Sequence, residues 1–159
     1  MRYLFVHQNF PGQYLHLVRY LARDSANEVV FITQRTDAEI PGVRKVVYKP
    51  HRAVIRGIHH YLGDTEGSVL NAQEVVRVAH GLRTSGFVPD IMMGHNGGGE
   101  IWYLKDIFSN TPLIGYFEFF YRVNGADIGF DPSEEIILDT APRIRTKNLG
   151  NYIGLDAVD

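Results

Sequence analysis

"RYLFVHQNFPGQYLHLVRYLAR", residues 2–23, decides how the rest of the chain is read. It opens with a short apolar run bounded by Arg2 and His7. A run of that length and composition is a buried strand. Past Pro11 and Gly12 the spacing changes. Over 13–23, Leu15, Val18, Leu21 and Ala22 recur at helical intervals, with His16, Arg19 and Arg23 on the other side. Strand, tight turn and amphipathic helix make the first half of a βαβ unit. A plain connector needs no histidine, asparagine or glycine at this turn, so His7, Asn9 and Gly12 become candidates for function.

The alternation continues along the chain. "EVVFITQ" (28–34) is a second buried strand, rich in β-branched residues, and "RKVVYKP" (44–50) a third, closed by proline. Residues 51–67, with His51, His59 and His60, read mostly as loop. Residues 68–83 form a helix with Val69, Ala72, Val76, Ala79 and Leu82 on one face, and Gly86 suits the position after its end. "DIMMGH" (90–95) is a fourth strand. "NGGGEIWYLKDIF" (96–108) is a glycine turn and a helix with Ile101, Leu104 and Phe108 inward. "PLIGYFEFF" (112–120) is a fifth strand, 125–133 is loop, and one helix spans about 139–157, with Pro142 in its first turn and two weakening glycines, Gly150 and Gly154. Continuous apolar strands between amphipathic helices imply an α/β fold with three layers, α/β/α, around a mainly parallel sheet. The expected strand order is 3-2-1-4-5, with right-handed crossovers.

Length and composition narrow the function. The 159 residues suit one domain, 1–159. A net charge of −2 gives no basic face, so no nucleic-acid partner is expected. With no cysteine, disulfides and thiolate-bound zinc are excluded and a cytoplasmic setting is allowed. The apolar part of the N-terminus is too short for a signal peptide, and no run reaches the length of a membrane span.

Open parallel sheets bind ligands at the carboxyl ends of their strands. Three of those ends carry unusual residues here. The first has His7, Asn9 and Gly12. The fourth has His95, Asn96 and the glycines Gly97, Gly98 and Gly99, followed by Glu100. The fifth has Glu118, Tyr121 and Arg122. Three consecutive glycines cost backbone entropy and expose N–H groups, which favours an anion or sugar hydroxyls. Each residue also has a plainer reading: a capped strand end, a turn angle, a surface ion pair. No G-x-G-x-x-G, Walker A, H-E-x-x-H or G-x-S-x-G motif is present, so nicotinamide, flavin, zinc-protease and serine-hydrolase chemistry lack support.

Taken together, "MRYLFVHQNFPGQYLHLVRYLA", "PDIMMGHNGGGEIWYLKDIF" and "PLIGYFEFFYRVNGADIGFDP" resemble the N-terminal domain of a group within the family 4 glycosyltransferases. The similarity runs over nearly the whole chain and is thinnest over 34–67. It implies the GT-B architecture: two Rossmann-like domains facing across a cleft, this one holding the acceptor and a C-terminal one, absent from this chain, holding most of the nucleotide-sugar donor. It also implies transfer with retention of anomeric configuration, no cofactor and no metal. By resemblance, Gly12 matches the glycine of the first strand–helix turn, whose backbone approaches the donor. His95 matches the histidine that contacts the transferred sugar, and Glu118 faces the cleft; both are candidate catalytic residues. His7, Asn9, Gly12, Asn96, Gly97, Gly98, Gly99 and Arg122 are candidate substrate- or donor-binding residues. The partners implied are a nucleotide-sugar and a glycan, lipid or other acceptor, in a cytoplasmic enzyme whose full-length form is open to peripheral membrane association.

Glu66 and Glu74 match the eight-residue spacing of the family's donor-site glutamates, but in the wrong half of the fold, so the match reads as chance. The chain reads as cut after its last helix and, alone, as inactive. An exposed cleft surface with Phe10 and Phe119 on it predicts self-association. The competing reading is a stand-alone Rossmann-like nucleotide- or sugar-binding module without catalysis.

Overall fold

The computed structural model describes residues 1–125, 129–131, 133 and 135–159, so the loop expected over 125–133 lies partly outside the described residues. Five parallel strands form one sheet: β1 (Arg2–Val6), β2 (Glu28–Thr33), β3 (Val43–Val47), β4 (Ile91–His95) and β5 (Leu113–Tyr116), in the order β3-β2-β1-β4-β5. The expected order and direction are both found. The register sets Val6 beside Ile32 on one flank and Gly94 on the other, so β1 and β4 end side by side.

Alternation along the strands builds the two faces. Leu4, Val6, Val30, Ile32 and Met92 face one way, and Phe5, Val29 and Phe31 the other. Both sets are buried because helices cover both faces. Helix α1 (Leu15–Ala22), entered through a 3-10 turn at Gly12–Tyr14, seats Val18 on the Phe5–Phe31 face. Helix α2 (Gly63–Thr84) seats Ala72, Val75, Ala79 and Leu82 on the other. Full burial of such a side chain contributes about 1.5–3 kcal/mol.

The structure corrects several boundaries. Helix α2 begins at Gly63, five residues before the start expected at Ser68. Its opening turn carries Asp64 and Glu66, which suit the positive end of a helix. After the glycine turn only α3 (Leu104–Ile107) is helical, although Ile101, Leu104 and Phe108 are buried as expected. Strand β5 stops at Tyr116, so strand alternation does not govern Glu118. The last helix is two, α4 (Thr140–Lys147) and α5 (Leu149–Ala157), broken at Asn148. There the Asn148 amide replaces a strand partner: its Oδ1 accepts from Tyr121 N–H (2.9 Å) and its Nδ2 donates to Tyr121 O (2.8 Å).

Phe10 is also corrected. It is buried, edge-on to Phe31 at 4.9 Å, because the first turn folds back onto the α1 face of the sheet. Phe119 is exposed, as expected.

Candidate active site at the carboxyl edge of the sheet

His7 follows β1 and His95 ends β4, so the pairing of these strands brings the two imidazoles together. The rings stack with centroids 4.5 Å apart and planes 22° apart, and the Tyr116 ring continues the stack at 5.8 Å from His95. The two histidines are held alike. Asn9 N–H donates to His7 Nδ1 (2.9 Å) and Gly97 N–H donates to His95 Nδ1 (3.1 Å). Each Nδ1 is therefore an acceptor, and each ring carries its proton on Nε2.

Both Nε2–H groups lead to one carboxylate. His95 Nε2 donates to Glu118 Oε2 at 3.1 Å. His7 Nε2 donates to Gln13 Oε1 at 2.7 Å, and Gln13 Nε2 reaches Glu118 Oε1 at 3.5 Å. The His95 side chain is 7% exposed and that of Glu118 43%, so the carboxylate is far more open to solvent than the ring that donates to it. Burial, and after it the neighbouring His95, holds the His7 ring below the ordinary imidazole pKa.

The glycines answer the question raised by the first turn. Gly12 has φ of +53°, and a Cβ there would lie 2.7 Å from His7 Cδ2. A Cβ on Gly97 would overlap the His95 ring. Each glycine makes room for the imidazole beside it. The expected open row of glycine N–H donors is thereby corrected: Gly97 N–H is taken by His95, and Gly99 N–H by Asn96 O at 3.1 Å. Gly99 instead lets α2 approach, since a Cβ would lie 2.6 Å from Ser68 O. Gly98 lies against the Glu100 carboxyl.

Two clefts meet at this cluster. The larger, about 570 Å³, runs over Asn96, Gly97 and Gly98 between the start of α2 and the α4–α5 break. The smaller, about 490 Å³, is lined by His7, Asn9, Gly12 and Gln13. Gln8, His95 and Glu118 line both. Asn96 is buried and acts as a brace: its Oδ1 accepts from Trp102 Nε1 (3.0 Å), and its Nδ2 donates to Gly150 O (3.1 Å) and Asn151 Oδ1 (3.2 Å). Arg122 is not brought to the cluster. It is exposed, lines neither cleft, and makes no hydrogen bond or ion pair to the described residues.

Sequence reasoning missed Gln13, which links His7 to Glu118, and the polar ring behind the glycine turn. There Tyr48 OH donates to Glu100 Oε1 (3.0 Å), Gln34 Nε2 donates to Tyr48 OH (3.0 Å) and Asn71 Oδ1 (2.9 Å), and Asn71 Nδ2 donates to Gly98 O (2.9 Å). Glu100 is buried, which raises its pKa, and its Oε2 has no partner. Nothing marks these residues in sequence except polarity at otherwise inward positions. Glu66 pairs with Arg52, and Glu74 with His51 and Arg77, so both have local partners away from the two histidines. Among the described residues no group of three or more His, Asp or Glu is placed to hold a metal, and no helix is long and apolar enough to cross a membrane.

The family model described as "Glycosyl transferase family 4 group" matches residues 25–159. The chain belongs to that family. Solved structures similar to it include the apo UGT2 of Phytolacca americana, at 14% identity over 73% of this chain and 29% of that one, with a TM-score of 0.46. The same plant protein complexed with UDP-2fluoro-glucose and pterostilbene is similar at 12% identity, over 73% and 30% of the two chains, with a TM-score of 0.47. The family 4 chain thus spans less than a third of the length of either structure. No curated protein matches this sequence.

Proposed function

We propose that this chain is the acceptor-side half of a retaining glycosyltransferase, completed by a donor-side domain in the GT-B manner. A sugar passes from a nucleotide-sugar to an acceptor at the wall shared by the two clefts. One observation carries the reading beyond family membership: two stacked histidines at the carboxyl edge of the sheet direct both their Nε2–H groups, one of them through Gln13, to the Glu118 carboxylate.

In this proposal each group has a role. Neither imidazole is a general base, because Nδ1 already accepts and Nε2 already carries hydrogen. His95 works neutral. Its Nε2–H serves a sugar hydroxyl, which takes the place of Glu118 Oε2. In the transfer, the bond from the anomeric carbon to the diphosphate oxygen breaks, and its electron pair leaves with the nucleotide. The acceptor oxygen bonds to that carbon on the same face, and its proton passes to the departing diphosphate. Positive charge develops on the sugar ring meanwhile. The Glu118 carboxylate, which gives up its bond to His95 and keeps the one from Gln13, stabilises that charge, whereas an imidazolium would oppose it. His7 and Gln13 hold the carboxylate in place. Turnover needs both sides of the cleft, and these 159 residues supply the acceptor side. No resident cofactor or metal takes part.

The test is a transfer assay on the chain joined to a donor-side domain, following nucleotide release and the anomeric configuration of the product by NMR. Retention is expected. An inverted product, or nucleotide-sugar binding with no turnover on any acceptor, overturns the reading.

A further inference from the structure

The larger cleft shares His95 and Glu118 with the histidine–glutamate cluster and extends beyond it with further polar and aromatic groups. The side-chain amide of Gln8 and the hydroxyls of Thr65 and Ser68 line it and make no hydrogen bond within the described protein. Each can both donate and accept, as a sugar hydroxyl does. Phe119 adds a half-exposed ring, stacked on Tyr121 at 6.3 Å with 18° between planes. Such a ring suits the C–H face of a pyranose.

Charge separates the candidate ligands. Asp64 and Glu118 line the cleft against one cation, Lys147, whose ammonium lies 4.4 Å above the Tyr121 ring. A phosphate would face two carboxylates. The start of α2 offers it little, because Asp64 and Glu66 already occupy the first turn.

We propose that the larger cleft is a subsite for an uncharged oligosaccharide, not for a phosphorylated sugar or a lipid phosphate. Calling that ligand the acceptor rests on the glycosyl-transfer reading; its neutrality rests on the cleft alone.

The experiment is an amide NMR titration of the 159-residue chain. The neutral probes are maltotriose, cellotriose, mannotriose and triacetylchitotriose; the charged probes are glucose 6-phosphate and glucosamine. At least one neutral trisaccharide should shift the amides of Ser68, Asn71, Gly97 and Asn151, with little dependence on salt, and bind at least about tenfold more tightly than either charged probe. The variants Phe119→Ala and Ser68→Ala should each weaken that binding while leaving the rest of the spectrum in place. Tighter binding of either charged probe, no shift in the cleft with any neutral probe up to its solubility limit, or shifts confined elsewhere would overturn the proposal. Neutral-glycan binding without transfer in the joined enzyme would overturn the transfer reading and keep this one. Transfer to a phosphate-bearing acceptor with no neutral binding would do the reverse.

Discussion

Gly154→Ala sets two physical effects against each other. In an exposed helix, replacing glycine by alanine stabilises by about 1 kcal/mol. At this position in α5, however, the new methyl would overlap the Asn96 amide. Asn96 is 3% exposed and cannot swing away without releasing Trp102 Nε1, Gly150 O and Asn151. Leaving the buried indole N–H unpaired costs about 1–3 kcal/mol. Forcing an extra methyl into a filled site costs about 1–3 kcal/mol more. With the helix gain subtracted, the net loss is about 3 kcal/mol. For a domain of this size that lowers Tm by about 6–12 °C. Scanning calorimetry with urea denaturation measures it. Because Trp102 is the single tryptophan, its fluorescence reports the same site. Gly81→Ala in α2 is the control: nothing lies within 4 Å of the added Cβ, so it should stabilise by about 1 kcal/mol. A Gly154→Ala variant as stable as the parent, with unchanged emission, would refute the packing argument.

Gly12→Ala combines a left-handed backbone, costing about 1–2 kcal/mol, with a clash on His7. Its Tm should drop and the His7 Nε2–H resonance should shift; an unchanged resonance would contradict the contact. His7 and Glu100 predict opposite pH slopes. The lowered His7 pKa means that the unfolded chain binds more protons just below pH 6.5, so the stability difference between parent and His7→Gln should rise with pH and level off above 6.5. The raised Glu100 pKa means that the folded chain keeps a proton the unfolded chain has released, so the difference against Glu100→Gln should fall as pH rises above 4.5. Slopes of the reverse sign in pH-dependent denaturation would show the burial assignments to be mistaken. Phe119 and Leu138 are exposed, and patches of that kind drive association; sedimentation should show self-association that the double variant Phe119→Ser, Leu138→Ser reduces, and a monomer at high concentration in both would contradict it.

The sheet was legible because strands buried on both faces carry continuous apolar runs, and 3–6, 29–32 and 91–93 all do. The limits of β5 were not. "YFEFF" has strand composition, but from Phe119 to Tyr121 its backbone is held by the side chains of Asn151 and Asn148. The histidines could be recognised as strand ends, yet the purpose of the glycines could not. Gly12 and Gly97 look like turn or anion-cradle residues in sequence, and only the ring positions show that each admits an imidazole. Phe10 was misplaced because no periodicity governs a turn. Gln13 was missed for a related reason: a polar residue at the start of a helix usually faces water, and here it links His7 to Glu118.

The central claim is that His95 acts on the reacting sugar as a neutral hydrogen-bonding group. The decisive measurement is kcat, KM and Tm on one preparation of His95→Ala in the two-domain enzyme proposed above. A contact that strengthens in the transition state appears in kcat. The account predicts a kcat per folded molecule lowered by about tenfold or more with a smaller rise in KM, beside the drop in Tm that removal of a buried, stacked ring brings. A destabilised variant with normal kcat per folded molecule would show that His95 only braces the glycine turn, and the catalytic assignment would fall.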